Sequence, residues 1–240
     1  MRIRRLFRLL VFFLLPVAGA AADGAQLERV PDRQGNPPAM QKGAATYVEA
    51  CLACHGLSLV RYRSLVDLGL GEQDVKDRLM APGARIGDPM RSAAGHAELK
   101  HWLGVAPPDL SLVAKARASR AGGGADWVYS FMRSFYRDPS RPSGWNNALA
   151  PGTAMPHVLW QWQEEAVSGP APRGGEVGAA GLGTAAAYDD QVADLVGFLV
   201  WAAEPGAAFR QRVGVGVLAF LLLLLVLSYL LKKEFWKNIR

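Results

Sequence analysis

The sequence predicts a mainly α fold: one soluble domain with long irregular loops, followed by a single C-terminal transmembrane helix. Three observations carry that prediction. Apolar residues recur at helical spacing in several segments between 41 and 203, and no alternating pattern runs longer than a few residues. Residues 138–157 and 168–187 are dominated by Pro, Gly, Asn and small residues, which break such helices and leave long loops. Residues 213–231, VGVGVLAFLLLLLVLSYLL, carry no charge. At ~1.5 Å per residue this run covers about 28 Å, close to the ~30 Å hydrocarbon core of a bilayer.

The elements follow in order. Residues 1–22, MRIRRLFRLLVFFLLPVAGAAA, have a basic front (Arg2, Arg4, Arg5, Arg8), a short apolar run and small residues up to Ala22. That is the layout of a cleaved signal peptide, with an uncleaved anchor as the alternative. Residues 23–40 read as an irregular arm, and 41–50 as a helix that runs into Cys51. Leu59, Tyr62, Leu65 and Val66 suggest a second short helix over 58–70. Pro82, Gly83, Gly87 and Pro89 interrupt the chain. A helix over 111–118 follows Pro107-Pro108, and AGGGA at 121–125 is a loop. Asp126 caps a helix running to Arg137, with Trp127, Phe131 and Phe135 on one face, a stripe that faces a core by default. Asp189 or Asp190 caps a last soluble helix carrying Val192, Leu195, Val196 and Leu199, which Glu204-Pro205-Gly206 ends. The expected divisions are a signal peptide at 1–22, a soluble domain at 23–207, an anchor at 208–232 and a tail at 233–240.

The net charge of +6 belongs to the ends. The signal holds four arginines; the tail holds Lys232, Lys233, Lys237 and Arg240 against Glu234, leaving −1 over 23–231. No nucleic-acid surface is implied. The larger basic cluster lies C-terminal of the span, with only Arg210 and Arg212 before it. The tail is therefore expected in the cytoplasm and the domain outside, with Tyr229 and Trp236 as interfacial anchors.

The chemistry lies in CLACH, residues 51–55, which contains both cysteines of the chain. A structural zinc needs four ligands, and His96, His101 and His157 form no second short-spaced pair. Thiol–disulfide chemistry is read from C-x-x-C near a βαβ pattern, whereas these flanks are helical. A c-type haem uses every group: Cys51 and Cys54 as thioethers to the vinyl groups, His55 as axial ligand. The soluble domain thus reads as a c-type cytochrome domain with one covalently attached haem c. The sixth iron position has several candidates. Met80, Met90 and Met155 sit in irregular segments; Met40 lies on the approach to the haem-binding helix and would need a sharp return, and Met132 sits inside a helix; His96, His101 and His157 are further options. Met155, in the Pro-flanked PGTAMPH, leads on chemistry, with Met80 next.

Five ordered segments resemble the cytochrome c1 family: CLACHGLSLVRYRSLV, APPDLSLVAKARA (106–118), GADWVYSFM (124–132), TAMPHVLW (153–160) and YDDQVADLVGFLVWAAEPGAAFRQRVG (188–214). The likeness is poorest at 72–105 and 165–187. It implies Met155 as the second axial ligand, Arg117 at the haem propionates, Pro108 packed against the haem, and Trp127 where the family usually has Tyr. It also implies an electron-transfer subunit, not catalytic by itself, of ubiquinol–cytochrome c reductase in a respiratory or photosynthetic chain. Its expected partners are a cytochrome b subunit, a Rieske iron–sulfur protein as donor, and a soluble or membrane-bound c-type cytochrome as acceptor, in a dimeric complex. The expected location is the bacterial inner membrane, haem domain in the periplasm. The family's acidic docking patch does not map clearly; Glu164-Glu165 and Asp189-Asp190 are the local acidic pairs. Two other readings remain: a free-standing membrane-tethered monohaem cytochrome, and a haem enzyme with an open iron site.

Overall fold

The computed structural model describes residues 27–167 and 184–238; the expected signal peptide and most of the low-complexity stretch at 168–187 lie outside them. Helix α1 (Pro37–Ala50) begins earlier than its apolar pattern suggests. Asn36 caps it by accepting from the Ala39 amide at 3.3 Å, and the prolines of the first turn have no amide to leave unpaired. Its buried face, including Met40, Ala44 and Tyr47, packs against α7 (Thr184–Ala203). Gly43 allows the close crossing: a Cβ there would lie 2.0 Å from the Asp194 carbonyl oxygen.

The expected helix over 58–70 is not one. Leu57–Arg61 forms strand β1, paired antiparallel with β2 (Pro89–Met90), and Tyr62–Leu68 is a 3-10 helix. The Ser58 and Leu59 amides are taken by the side chains of Asp109 and Ser111, about fifty positions on, which offers the backbone an alternative to helix. Buried Tyr62, Leu65 and Leu68 recur every third residue, the 3-10 repeat, while Leu59 and Val66 of the expected stripe are exposed.

Short helices α2 (Glu72–Arg78) and α3 (His96–Leu103) precede α4 (Val113–Ala116), which is shorter than the predicted 111–118. Helix α5 (Gly124–Arg133) is capped by Gly123; Asp126 stands inside its first turn and accepts from the Gly123 and Val30 amides. It stops at Arg133 instead of Arg137. Phe135–Arg137 becomes β3, paired with β4 (Trp145–Asn147), and the Ala148 amide donates to the Ser134 carbonyl. Phe135 stays in the core, edge-on to Phe131 at 5.2 Å.

Helix α6 (Trp160–Val167) leads towards α7. Asp189 and Asp190 lie within α7 and do not cap it: Asp189 pairs with Arg133, and Arg33 bridges Asp190 (2.6 Å) and Asp194 (2.8 Å). Those ion pairs fasten the N-terminal arm and α5 onto α7, whose Val192, Leu195, Val196 and Leu199 are buried as expected. The final helix α8 (Ala207–Phe235) exposes its apolar side chains along its length, and Phe209–Phe235 is long and apolar enough to cross a membrane. At its base, Glu204 pairs with Arg210 and with Lys115 of α4, tying the anchor to the domain.

Candidate functional site

Helix α1 ends at the first cysteine. The Cys51 and Leu52 amides both bond the Tyr47 carbonyl at 2.9 Å, and the Cys54 and His55 amides close back onto the Cys51 carbonyl at 3.0 and 2.8 Å. This tight turn gathers the two thiols and the imidazole. The Tyr47 hydroxyl, buried in the core, donates to the His55 carbonyl and fixes the end of the turn. His55 Nδ1 lies 2.8 Å from the Pro108 carbonyl oxygen. A carbonyl only accepts, so Nδ1 carries the proton and Nε2 keeps the lone pair that a metal requires. Burial lowers the His55 pKa, against the opposing pull of the Pro108 carbonyl and Asp109. Burial, and secondarily Cys54, pushes the Cys51 thiol up to about 12. That is opposite to the activated cysteine of a redox C-x-x-C.

The turn opens onto a cavity of about 310 Å³, lined mainly by apolar side chains. Its lining brings together Cys51, Cys54, His55, Pro108, Arg117, Trp127 and Met155, all seven residues singled out in the sequence. Arg117 is the one fully charged side chain among them; its guanidinium lies over the Trp127 ring at 4.3 Å. Trp127 stacks on Phe131 at 5.0 Å, so the stripe on α5 forms one wall. Leu195 and Leu199 of α7 also line the cavity, as do Leu103, Val105 and Ala106, which the sequence pattern did not single out. These last three come from the poorly matching 72–105 stretch and its junction, where no helical stripe marked them.

The other candidates for the second axial position separate. Met90 is buried in β2 and Met40 in α1; neither they nor Met80 line the cavity. His96 and His101 are exposed on α3, and His157 is buried behind the wall. Met132 does line the cavity, from within helix α5; Met155 lines it from an irregular loop. Two thiols, a neutral imidazole of defined tautomer, a thioether, apolar walls and one guanidinium form a donor set that fits a covalently held haem. Among the described residues, no group of three or more His, Cys, Asp or Glu suggests a separate metal site.

The chain matches the Cytochrome C1 family over residues 33–94 and 87–239. It belongs to the cytochrome c1 family. It is 38% identical to cytochrome c1 of Allochromatium vinosum over 249 residues, covering 98% of this chain and 99% of that one. It is 41% identical over 234 residues to a Nitrosomonas europaea protein named ammonia monooxygenase gamma subunit, 97% of each chain. Cytochrome c1 of Rhodospirillum rubrum is 30% identical, with 85% and 82% covered. As a cytochrome c1, the chain is a membrane-anchored electron-transfer subunit of the bc1 complex that carries covalently bound haem c. In this cytochrome c1, Asp189 pairs with Arg133 and Asp190 with Arg33 within the chain.

Proposed function

We propose that this chain accepts one electron at a time from a Rieske iron–sulfur protein and passes it to a c-type cytochrome, within ubiquinol–cytochrome c reductase of a respiratory or photosynthetic chain. The carrying observation is the meeting of Cys51, Cys54, His55, Arg117 and Met155 in one apolar cavity, in a chain whose described residues include one helix long and apolar enough to cross a membrane. Cys51 and Cys54 hold the haem by thioethers, His55 and Met155 bind the iron, and Arg117 pairs with the propionates. Pro108 and Trp127 pack against the ring. The haem supplies a one-electron couple, and the protein performs no bond chemistry by itself.

Each residue has a defined task. Pro108 orients His55 through its carbonyl. The thioether of Met155 raises the potential relative to other axial sets. The planar fork of Arg117 suits a carboxylate and adds a positive charge that favours the reduced state. In this reading 1–22 is removed, the domain at 23–207 lies in the periplasm, 208–232 spans the bacterial inner membrane, and 233–240 faces the cytoplasm. Cytochrome b and the Rieske protein are its companions in a dimeric complex.

The test is purification from native membranes with a subunit inventory and a reduced-minus-oxidised spectrum. Cytochrome b and an iron–sulfur protein in stoichiometric amounts support the reading; their absence overturns it. The Nitrosomonas relative's name favours a second reading, a haem subunit serving an ammonia-oxidising oxygenase. The same inventory separates them, because oxygenase subunits would then copurify in place of cytochrome b.

A further inference from the structure

The loop that carries Met155 is fastened at both ends by buried polar side chains whose partners lie on or against the cavity wall. At its start, Asn147 is fully buried. Its Nδ2 donates to the Phe131 carbonyl at 2.7 Å, and its Oδ1 accepts from the Leu149 and Ala150 amides, both at 3.0 Å. At its end, His157 is 1% exposed. Its ring lies flat on Phe135, with centroids 4.8 Å and planes 6° apart, and meets the edge of Trp145 at 4.9 Å. Its Nε2 lies 2.5 Å from Oε1 of Gln163 on α6.

Phe131 lines the same cavity as Met155, and Phe135 packs against Phe131, so both fastenings are referred to the lining of that cavity. Neither Asn147 nor His157 lines the cavity. Burying an amide and an imidazole costs desolvation that an apolar side chain would avoid. Their directional bonds instead allow one placement of the loop between them, where apolar contacts alone would permit sliding.

We propose that Asn147 and His157 are positioning residues that hold the Met155 thioether at a single place relative to the iron, an inference that rests on Met155 being the axial ligand. The experiment uses the full holo-protein in its membrane complex, compared at equal covalent haem content. Two quantities are read: the methionine–iron charge-transfer band of the oxidised protein, and carbon monoxide binding by the reduced protein. His157→Ala and Asn147→Ala are expected to weaken the band and raise the fraction that binds carbon monoxide about tenfold. His157→Phe keeps the stack on Phe135 but loses the bond to Gln163, so the band stays weak; a fully restored band would sink the directional role of His157. If an alanine variant fails to accumulate, His157→Leu and Asn147→Ser are read in the same way. Variants that melt earlier but keep the band and exclude carbon monoxide overturn the inference, leaving both residues merely structural. Met155→Leu separates the two layers. A band lost there but intact in the position 147 and 157 variants sinks the positioning role alone; a band intact in Met155→Leu sinks the ligand assignment and the inference with it.

Discussion

The backbone carbonyl of Pro108 accepts a 2.8 Å hydrogen bond from Nδ1 of His55. Residues 53 positions apart in sequence thereby define which imidazole nitrogen is free for iron. The PPD segment reaches that position through its next residue, Asp109, whose Oδ2 and Oδ1 accept from the Ser58 and Ser111 amides, both at 2.8 Å. Asp109→Ala is therefore expected to release two backbone donors and loosen the Pro108 carbonyl. Its cost is about 1 kcal/mol, read as a lower melting temperature of the holo-protein, with a shifted haem potential in the same sample.

The same carboxylate makes a pH prediction. Burial raises the Asp109 pKa, but the hydrogen bonds from Ser111 and Ser58 outweigh it and leave the group below its ordinary value of 3.8. A carboxylate depressed by folding contributes stability above its unfolded pKa and loses it as pH falls through the folded value. Wild type should thus lose stability below about pH 4 more steeply than Asp109→Asn. Equal acid melting curves for the two would remove this contribution.

Met155→Leu should retain covalent haem and lower the midpoint potential. A thioether that favours reduced iron tenfold accounts for about 59 mV in a one-electron couple, and the expected fall is at least that large. Potentiometric titration of membranes reads it directly, and an unchanged potential counts against Met155 as ligand.

Arg117 is exposed and lies over Trp127. Removing its charge favours the oxidised state, so Arg117→Ala should lower the potential. Solvent screening limits the shift to less than about 59 mV. Arg117→Lys keeps the charge but loses the planar fork and falls between the two. A rise in potential in either variant would reverse the proposed sign.

Gly43→Ala should destabilise the domain, because the new methyl would stand 2.0 Å from the Asp194 carbonyl oxygen and force α1 from α7. The expected cost is about 1–3 kcal/mol. Gly35→Ala, which meets nothing within 4 Å, is the control and should melt like wild type.

Several errors of the sequence reading share one cause. Ser58 and Leu59 looked helical because their periodicity is local, whereas the bonds that hold them extended come from Asp109 and Ser111. Phe135 kept its buried place beside Phe131 although the helix had already ended, since a strand can deliver the same side chain to the same core. Asp189 and Asp190 read as cap candidates, but they lie inside α7; their arginine partners lie 56 and 157 residues away. Long-range pairing of this kind leaves no periodic mark in the sequence.

Cys51, Cys54 and His55 are consecutive enough that one turn of chain must bring them together, so a c-type haem was legible before any fold. The uncharged run ending at Leu231 was equally legible, because length and apolarity alone meet the requirement of a bilayer. Met155 and Arg117 are different. Met155 stands 104 residues and Arg117 66 residues beyond Cys51, linked to it in the sequence only by loop chemistry and resemblance until α1, α5 and α7 pack into one cavity. The tautomer of His55 and the fastening of the Met155 loop by Asn147 and His157 depend on hydrogen bonds and ring contacts between segments that never meet in sequence. Those belong to the packed chain, where direction and distance, not residue order, decide which atoms face the iron.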